Sequence, residues 1–414
     1  MRDEFRMRDL VDGDFGKKGG FSKGKKIIFE QTIEMKLPIK HHGAEITIFS
    51  EMTALANRFG AVNLSQGFPD DDIDEALKKF LAEGTNKNFN QYAPSFGFPA
   101  LIENLITFNH ARKNPIDFTA SEITITPGAS YGIYTALSAI LEIGDEMIVL
   151  EPAYDSYIPS IEMNRAKPVL VSLNEDFLPD FEKIKAAITE KTKAILINSP
   201  HNPTGKIWRK EDFEKLYQII KDTDIIVISD EVYDLITFDN AEFYSIFHHA
   251  ELRHRSFAIF SFGKMFHLTG WKVGYVLACE ELTKAFRKVH QYISFSVNTP
   301  AQYALAKYLE VFNPIENQQY LQEKRDFFLA QFKDLPFTFK EKSEGSYFQI
   351  ASYENISDLP DKEFCIWLTK EHQVATIPLC SFYQDQRNTG VIRFCFSKRT
   401  ETILKAAENL RKLV

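Results

Sequence analysis

Cysteine is scarce in this chain, and the four present, Cys279, Cys365, Cys380 and Cys395, show no C-x-x-C spacing and no neighbouring His pair. That excludes a disulfide scaffold and a thiolate metal site as organising features, and no metal is expected. The thiols read as small buried residues of a reducing compartment, so a cytoplasmic location is expected. Basic charge is not in excess either: 49 Lys and Arg stand against 57 Asp and Glu, a net charge of −8 with no basic face, which argues against nucleic acid as a partner. No apolar run is long enough to span a bilayer, which argues against a membrane partner. What is present is an ordinary globular composition, 44% hydrophobic, in a chain of 414 residues. That is more than one ordinary core serves, so two domains are expected.

The first residues, Met1 to Lys26, are rich in charge and glycine and poor in apolar types, so a disordered leader or an added extension is expected over 1–30. From Thr47 to Phe59 apolar positions recur at intervals of three and four and end at Gly60, the pattern of an amphipathic helix with a glycine stop. The segment 31–60 is expected to pack with a small domain. Val62 to Asp70 (V-N-L-S-Q-G-F-P-D) reads as a strand-like fragment around Gly67, whose missing side chain would let another group approach its backbone. Tyr92, in Q-Y-A-P, sits in a loop with a hydroxyl that either faces a pocket or packs.

Between Glu122 and Ala278, apolar β-rich runs alternate with helical segments. The strand candidates are Glu122 to Thr126, Glu146 to Leu150, Pro168 to Leu173, Ala194 to Asn198, Ile225 to Ser229, Ser256 to Phe262 and Val273 to Ala278. This is α/β architecture, a seven-stranded mostly parallel sheet flanked by helices, expected over 61–300. Residues 301–414, with strand-like pieces Tyr347 to Ala351, Val374 to Pro378 and Val391 to Phe396 and a terminal helix Glu401 to Leu413, read as a small α+β domain.

Open α/β sheets place ligands beyond the carboxyl ends of their strands, and that rule selects a short list. Thr126-Pro127-Gly128-Ala129-Ser130 leads into an apolar helical run, so uncovered N–H groups and the helix dipole suit an anion there, unless Ser130 simply caps the helix. Tyr154, in E-P-A-Y-D-S-Y, is placed to stack on a flat ring or to pack. Asn202, in N-S-P-H-N-P-T-G, is an amide pinned by a proline-glycine turn, while His201 has no ligand spacing and reads as structural. Asp230, in S-D-E-V-Y with Tyr233, ends an apolar strand and needs a positive charge opposite. Lys264, in S-F-G-K-M-F-H-L-T-G-W-K, lies just beyond a strand end among Phe262, Met265 and Phe266. Partial desolvation there lowers an amine's pKa and makes it a Schiff-base candidate. Arg393 is the one cation in the strand V-I-R-F-C-F-S, so its partner is either a substrate carboxylate or a structural acid.

One ligand satisfies the list: a phosphate for Gly128 to Ser130, Ser261 and Lys272, a flat ring for Tyr154, a ring cation for Asp230 and an aldehyde for Lys264. That ligand is pyridoxal 5'-phosphate. These motifs, in this order along nearly the whole chain after the leader, resemble the class I/II aminotransferases of fold type I. S-Q-G-F-P-D, E-P-A-Y-D-S-Y and F-S-V-N-T-P-A-Q are similar to the branch holding the methionine aminotransferases and the kynurenine–oxoglutarate aminotransferases.

The resemblance implies a homodimer with shared active sites, Tyr92 reaching the neighbouring subunit's phosphate. It also implies a donor amino acid, sulfur-containing or aromatic, and a 2-oxo acid acceptor. Lys264 would be the catalytic residue, and Gly67, Phe68, Asn202 and Arg393 would bind substrate. Gly128, Ala129, Ser130, Tyr154, Tyr233, Asp230, Ser261, Lys272 and Asn202 would bind the cofactor. Lys272 stands where many members have arginine, and Met265 is bulkier than the family's residue there. The same site would serve a cysteine-S-conjugate β-lyase, and a cofactor-binding protein without turnover is the remaining alternative.

Overall fold

The computed structural model describes residue 40 and residues 46–413, so the leader expected over 1–30 lies outside the described residues. Helix α1 (Ile48–Phe59) begins at Thr47, whose side chain accepts from the Ser50 N–H. It stops at Gly60, which at φ 61° returns its own N–H to the Ala56 and Asn57 carbonyls. A residue with a Cβ would be strained there, so the expected glycine stop is a physical one.

The seven expected strands form one sheet: β1 (Ile123–Thr126), β2 (Glu146–Glu151), β3 (Lys167–Ser172), β4 (Thr192–Asn198), β5 (Ile226–Asp230), β6 (Ser256–Ser261) and β7 (Gly274–Ala278). Their spatial order is β1-β7-β6-β5-β4-β2-β3. β7 alone runs against its neighbours β1 and β6; the other pairings are parallel. These strands read as continuous apolar runs because both faces are covered, and alternate residues enter different cores. Ile148, Ile195, Val227, Phe260 and Leu277 belong to one cluster, whereas Val149, Leu196, Ile228, Ile259 and Val276 belong to another. Each such side chain, once fully buried, contributes roughly 1.5–3 kcal/mol.

A second sheet joins β8 (Phe348–Ser352), β9 (Ile377–Pro378) and β10 (Val391–Cys395) in the antiparallel order β9-β10-β8. The run 374–378, expected as one strand, is two: Val374–Ala375 pairs in parallel with Val62–Asn63, and only Ile377–Pro378 joins β10. Thr376 between them is fully buried, its hydroxyl on Cys365 Sγ, so the chain changes sheets at a side chain that an apolar pattern does not flag. The core beneath this sheet draws on Met52, Leu321, Phe328 and Phe394, and on Ile403 of helix α3 (Thr400–Leu410). The cysteines are free, and three of the four are buried.

Candidate active site

Strand direction places the site. The carboxyl ends of β1, β2, β4, β5 and β6 share one edge of the large sheet, and each runs into a polar turn. Register ties them laterally: Asn198 pairs with Asp230, and Ser261 and Thr126 both face Gly274, the first residue of β7. Over this edge lies a cavity of about 590 Å³, closed on the other side by α1, the 66–68 segment, Phe348 and Arg393.

One end of the cavity is built of donors. Gly128, at φ 85°, precedes helix α2 (Ala129–Ile140), and no side chain caps it, which rules out the Ser130 cap. A Cβ on Gly128 would meet Lys272 Nζ at 3.4 Å, and one on Gly274 would meet Ala129 N at 3.2 Å and Phe260 O at 2.5 Å. The two glycines therefore let Lys272, itself left-handed at φ 53°, and the start of α2 close on one point, with Ser261 beside them in the lining. Uncovered N–H groups, two serine hydroxyls and an ammonium make an anion cradle.

Asp230 lies buried in mid-cavity. Its Oδ2 accepts from the Tyr157 hydroxyl at 2.6 Å and its Oδ1 from the Val232 N–H at 3.3 Å. Among the described residues no cation hydrogen-bonds it, and burial pushes its carboxyl up to about 6 against those two bonds. The positive charge expected opposite it is thus left for a ligand to bring. Tyr154, which burial pushes up to about 12, and Tyr233, raised likewise by burial, line the same space.

Lys264 occupies the single helical turn Phe262–Met265 that follows β6, with Met265 packed into the core beneath it. Its Nζ donates to the Gly67 carbonyl at 3.1 Å and stands 5.7 and 5.6 Å from the Tyr233 and Tyr347 ring centres. Burial pulls the amine down to about 8, so a usable fraction is neutral near pH 7. An amine that sheds its proton this readily in a polar cavity can act as a nucleophile and a base.

Arg393, 1% exposed, enters from β10. Its Nη1 donates to Asn202 Oδ1 at 2.7 Å and its Nη2 to Ser65 O at 2.8 Å. Its Nε has no partner, and Phe348 stacks at 3.9 Å. Among the described residues no carboxylate pairs with it, so the structural-acid alternative falls away. A buried guanidinium without a counter-charge suits an incoming carboxylate.

The structure thus gathers Gly67, Phe68, Gly128, Ala129, Ser130, Tyr154, Asn202, Asp230, Tyr233, Ser261, Lys264, Lys272 and Arg393 around one cavity. It does not bring Tyr92 there. Tyr92 is 81% exposed and rests edge-on against Phe295. His201 is structural, its ring nitrogens on Thr204 Oγ1 and Pro152 O, with burial pulling it down to about 4. Sequence reasoning missed Tyr157 and Asn198, and also Phe49, Thr53 and Gln66. Tyr157 was signalled by its place three residues after Tyr154, and its N–H donates to the Tyr154 carbonyl. Asn198, whose Nδ2 donates to Asp230 O and whose Oδ1 accepts from Asn202 N, was signalled by an amide ending an apolar strand.

These features fit pyridoxal phosphate: an uncapped donor cradle for its phosphate, a buried carboxylate lacking a cation for its ring nitrogen and a readily deprotonated amine for its aldehyde. The family described as aminotransferase class I and II matches residues 60–410. A methionine aminotransferase of Escherichia coli strain K12 is 41% identical over 374 residues, 89% of this chain and 96% of that protein. A kynurenine–oxoglutarate transaminase of Dictyostelium discoideum is 32% identical, covering 89% of this chain and 94% of its own length. A crystal structure of an Escherichia coli methionine aminotransferase superposes with a TM-score of 0.88 at 40% identity, covering 91% of this chain and 100% of that one. The resemblance read in the motifs is borne out: the chain belongs to the class I and II aminotransferases, enzymes that use pyridoxal phosphate to move an amino group from an amino acid to a 2-oxo acid.

Proposed function

We propose that this aminotransferase takes its amino group from a sulfur-containing or aromatic L-amino acid, methionine-like in shape, with Lys264 as its catalytic residue. One observation carries the choice of donor. The cations lining the cavity are Lys264, Lys272 and Arg393, and each has a place of its own, whereas the remaining wall includes Phe49, Phe68, Tyr154 and Phe348. A donor's side-chain carboxylate would find no spare cation among the described residues there, and an apolar or thioether side chain would find ring faces and edges. The methionine aminotransferase among the relatives supports the same donor.

When bound, pyridoxal phosphate supplies an aldehyde that takes up the amino group and a ring that draws away the electron pair left at the α-carbon. The rest is done by this chain. The N–H groups of Ala129 and Ser130, the hydroxyls of Ser130 and Ser261 and the Lys272 ammonium would hold the phosphate. Tyr154 would face the ring, Asn202 and Tyr233 would donate to its hydroxyl oxygen, and Asp230 would keep its nitrogen protonated. Arg393 and the Gly67 N–H would hold the donor's carboxylate and so orient the α-hydrogen. Lys264, poised near neutrality, would take that proton and return it on the far side of the amino nitrogen, two bonds from the α-carbon.

Tyr92 and Phe295 are exposed and rest edge-on against each other, and Tyr292 is exposed as well. We read this face as the meeting surface of a homodimer in which Tyr92 serves the neighbouring phosphate site. No described helix is long and apolar enough to cross a membrane. The cytoplasm is the proposed location, and 61–300 and 301–414 are the proposed domains.

A panel of donors against a few 2-oxo acids tests the reading. Methionine and phenylalanine should exceed aspartate and glutamate in kcat/KM by roughly tenfold or more, the worth of one unpaired charge kept out of the pocket. A preference for aspartate would overturn it.

A further inference from the structure

Gln66 to Phe68 form part of the cavity wall opposite the large sheet, and four side chains from elsewhere in the chain grip the carbonyls of Ser65, Gly67 and Phe68. Ser65 O accepts from Arg393 Nη2 at 2.8 Å, and Gly67 O accepts from Lys264 Nζ at 3.1 Å and from the Tyr347 hydroxyl at 2.8 Å. Phe68 O accepts from Lys398 Nζ at 2.8 Å. Two of these donors have other work in the function proposed above. Lys264 must leave Gly67 O for the cofactor and the α-proton, and Arg393 must turn to the donor's carboxylate.

Lys398 has no such call on it, and Tyr347, whose side chain also meets Tyr233, is given no contact with cofactor or substrate in that function. Neither lines the cavity, and both are buried, at 0% and 3% exposure. Lys398 is the more telling. A buried ammonium is expensive unless paired, and among the described residues no carboxylate pairs with it. Its amine meets only the Phe68 carbonyl and, at 5.1 Å, the face of the Phe68 ring. Its own carbonyl accepts from Lys324 Nζ at 2.7 Å, and Lys324 pairs with Asp71 at 3.1 Å, just past the segment. The segment has no slack to take up: a Cβ on Gly67 would lie 2.8 Å from the Phe348 ring, the ring that stacks on Arg393.

We infer that Tyr347 and Lys398 are positioning residues that hold the Gly67 and Phe68 carbonyls while Lys264 and Arg393 are drawn away to cofactor and substrate. The wall that shapes the donor's place then persists through the reaction. The inference rests on the proposed roles of Lys264 and Arg393.

The test uses the holoenzyme and two readouts. Hydrogen exchange is followed in peptides covering 63–70 and 123–130 for the wild type, Tyr347→Phe, Lys398→Met and Lys398→Arg, beside donor KM, kcat and cofactor affinity. A buried acceptor losing its donor should speed exchange in 63–70 roughly tenfold and raise donor KM by about as much. Exchange in 123–130, cofactor affinity and kcat should hold within about twofold, and Lys398→Arg should restore most of the loss. Unchanged exchange in 63–70, or faster exchange in both peptides alike, overturns the inference, as does a raised exchange rate with donor KM unmoved. Should Tyr347→Phe not fold, Lys398→Met carries the same test. Failure of wild-type turnover with methionine would overturn the donor assignment alone, because the exchange readout does not depend on it.

Discussion

The two walls of the cavity are made in different ways. The wall proposed to face the cofactor is the edge of the large sheet, where Thr126, Asn198, Asp230 and Ser261 are placed by backbone register between neighbouring strands. The wall proposed to face the substrate is assembled from Ser65 to Phe68, Phe348 and Arg393, which lie far apart in sequence and are joined by side chains donating to carbonyls. A register cannot shift without moving a whole strand, whereas a carbonyl can exchange one donor for another. The first wall is suited to a group that stays, and the second to groups that come and go.

Damage to the two walls should therefore separate. Lys264, which belongs to both, gives the largest effect: Lys264→Ala should lower kcat by roughly 10³-fold or more, read by steady-state assay on methionine, and retained turnover would remove Lys264 from the chemistry. Asp230→Asn strikes the cofactor wall alone. It should cut kcat by roughly 10²-fold, the worth of one preorganised electrostatic group, with donor KM little changed. Arg393→Ala strikes chiefly the substrate wall, although Arg393 Nη1 also bonds Asn202. It should raise donor KM by roughly 10²-fold while cofactor affinity, measured by titration of the cofactor-free protein, stays within about twofold. Equal losses of cofactor affinity in both variants would erase the distinction between the walls.

Tyr157→Phe should give the smallest change. The Tyr157 bond favours the ionised form of Asp230, so its loss raises a carboxyl already pushed up to about 6. In the cofactor-free protein, the midpoint of Asp230 titration, followed by the carboxyl signal in labelled samples, should move to higher pH. A midpoint that moves down or stays would mean that the bond does not hold the charge. Lys264 gives the matching prediction at the basic end. Because burial lowers its pKa to about 8, the rate at which the cofactor-free protein captures pyridoxal phosphate should rise with pH up to about 8 and level off above it. A rate still climbing through pH 10 would mark an ordinary, unshifted lysine.

The same contrast decides what could be read in the sequence. All seven strands of the large sheet were legible to within a residue or two, since burial on both faces writes an unbroken apolar run and the polar residue ending each run marks the ligand edge. Asp230, Asn202, Lys264 and the Gly128 turn followed from that rule. The substrate wall left fainter marks. Arg393 was visible as a lone cation in an apolar strand, but Tyr347 and Lys398 act through backbone carbonyls, which carry no residue type to notice. Thr53 and Gln66, bonded to each other at 2.8 Å, look like ordinary polar positions of a helix face and a loop. The break at Thr376 was invisible because both halves of 374–378 are apolar, and only pairing partners tell them apart. Tyr92 carried an aromatic signal, but the place proposed for it lies on a second copy of the chain, which no single-chain pattern contains.

The whole account turns on which amine receives the cofactor, and trapping that bond answers it. The protein loaded with pyridoxal phosphate is reduced with borohydride, digested and mapped by mass spectrometry. The pyridoxyl label should sit on Lys264, in the peptide that continues into Met265 and Phe266. A label on Lys272, or a protein that binds the cofactor yet yields no labelled peptide, would contradict it.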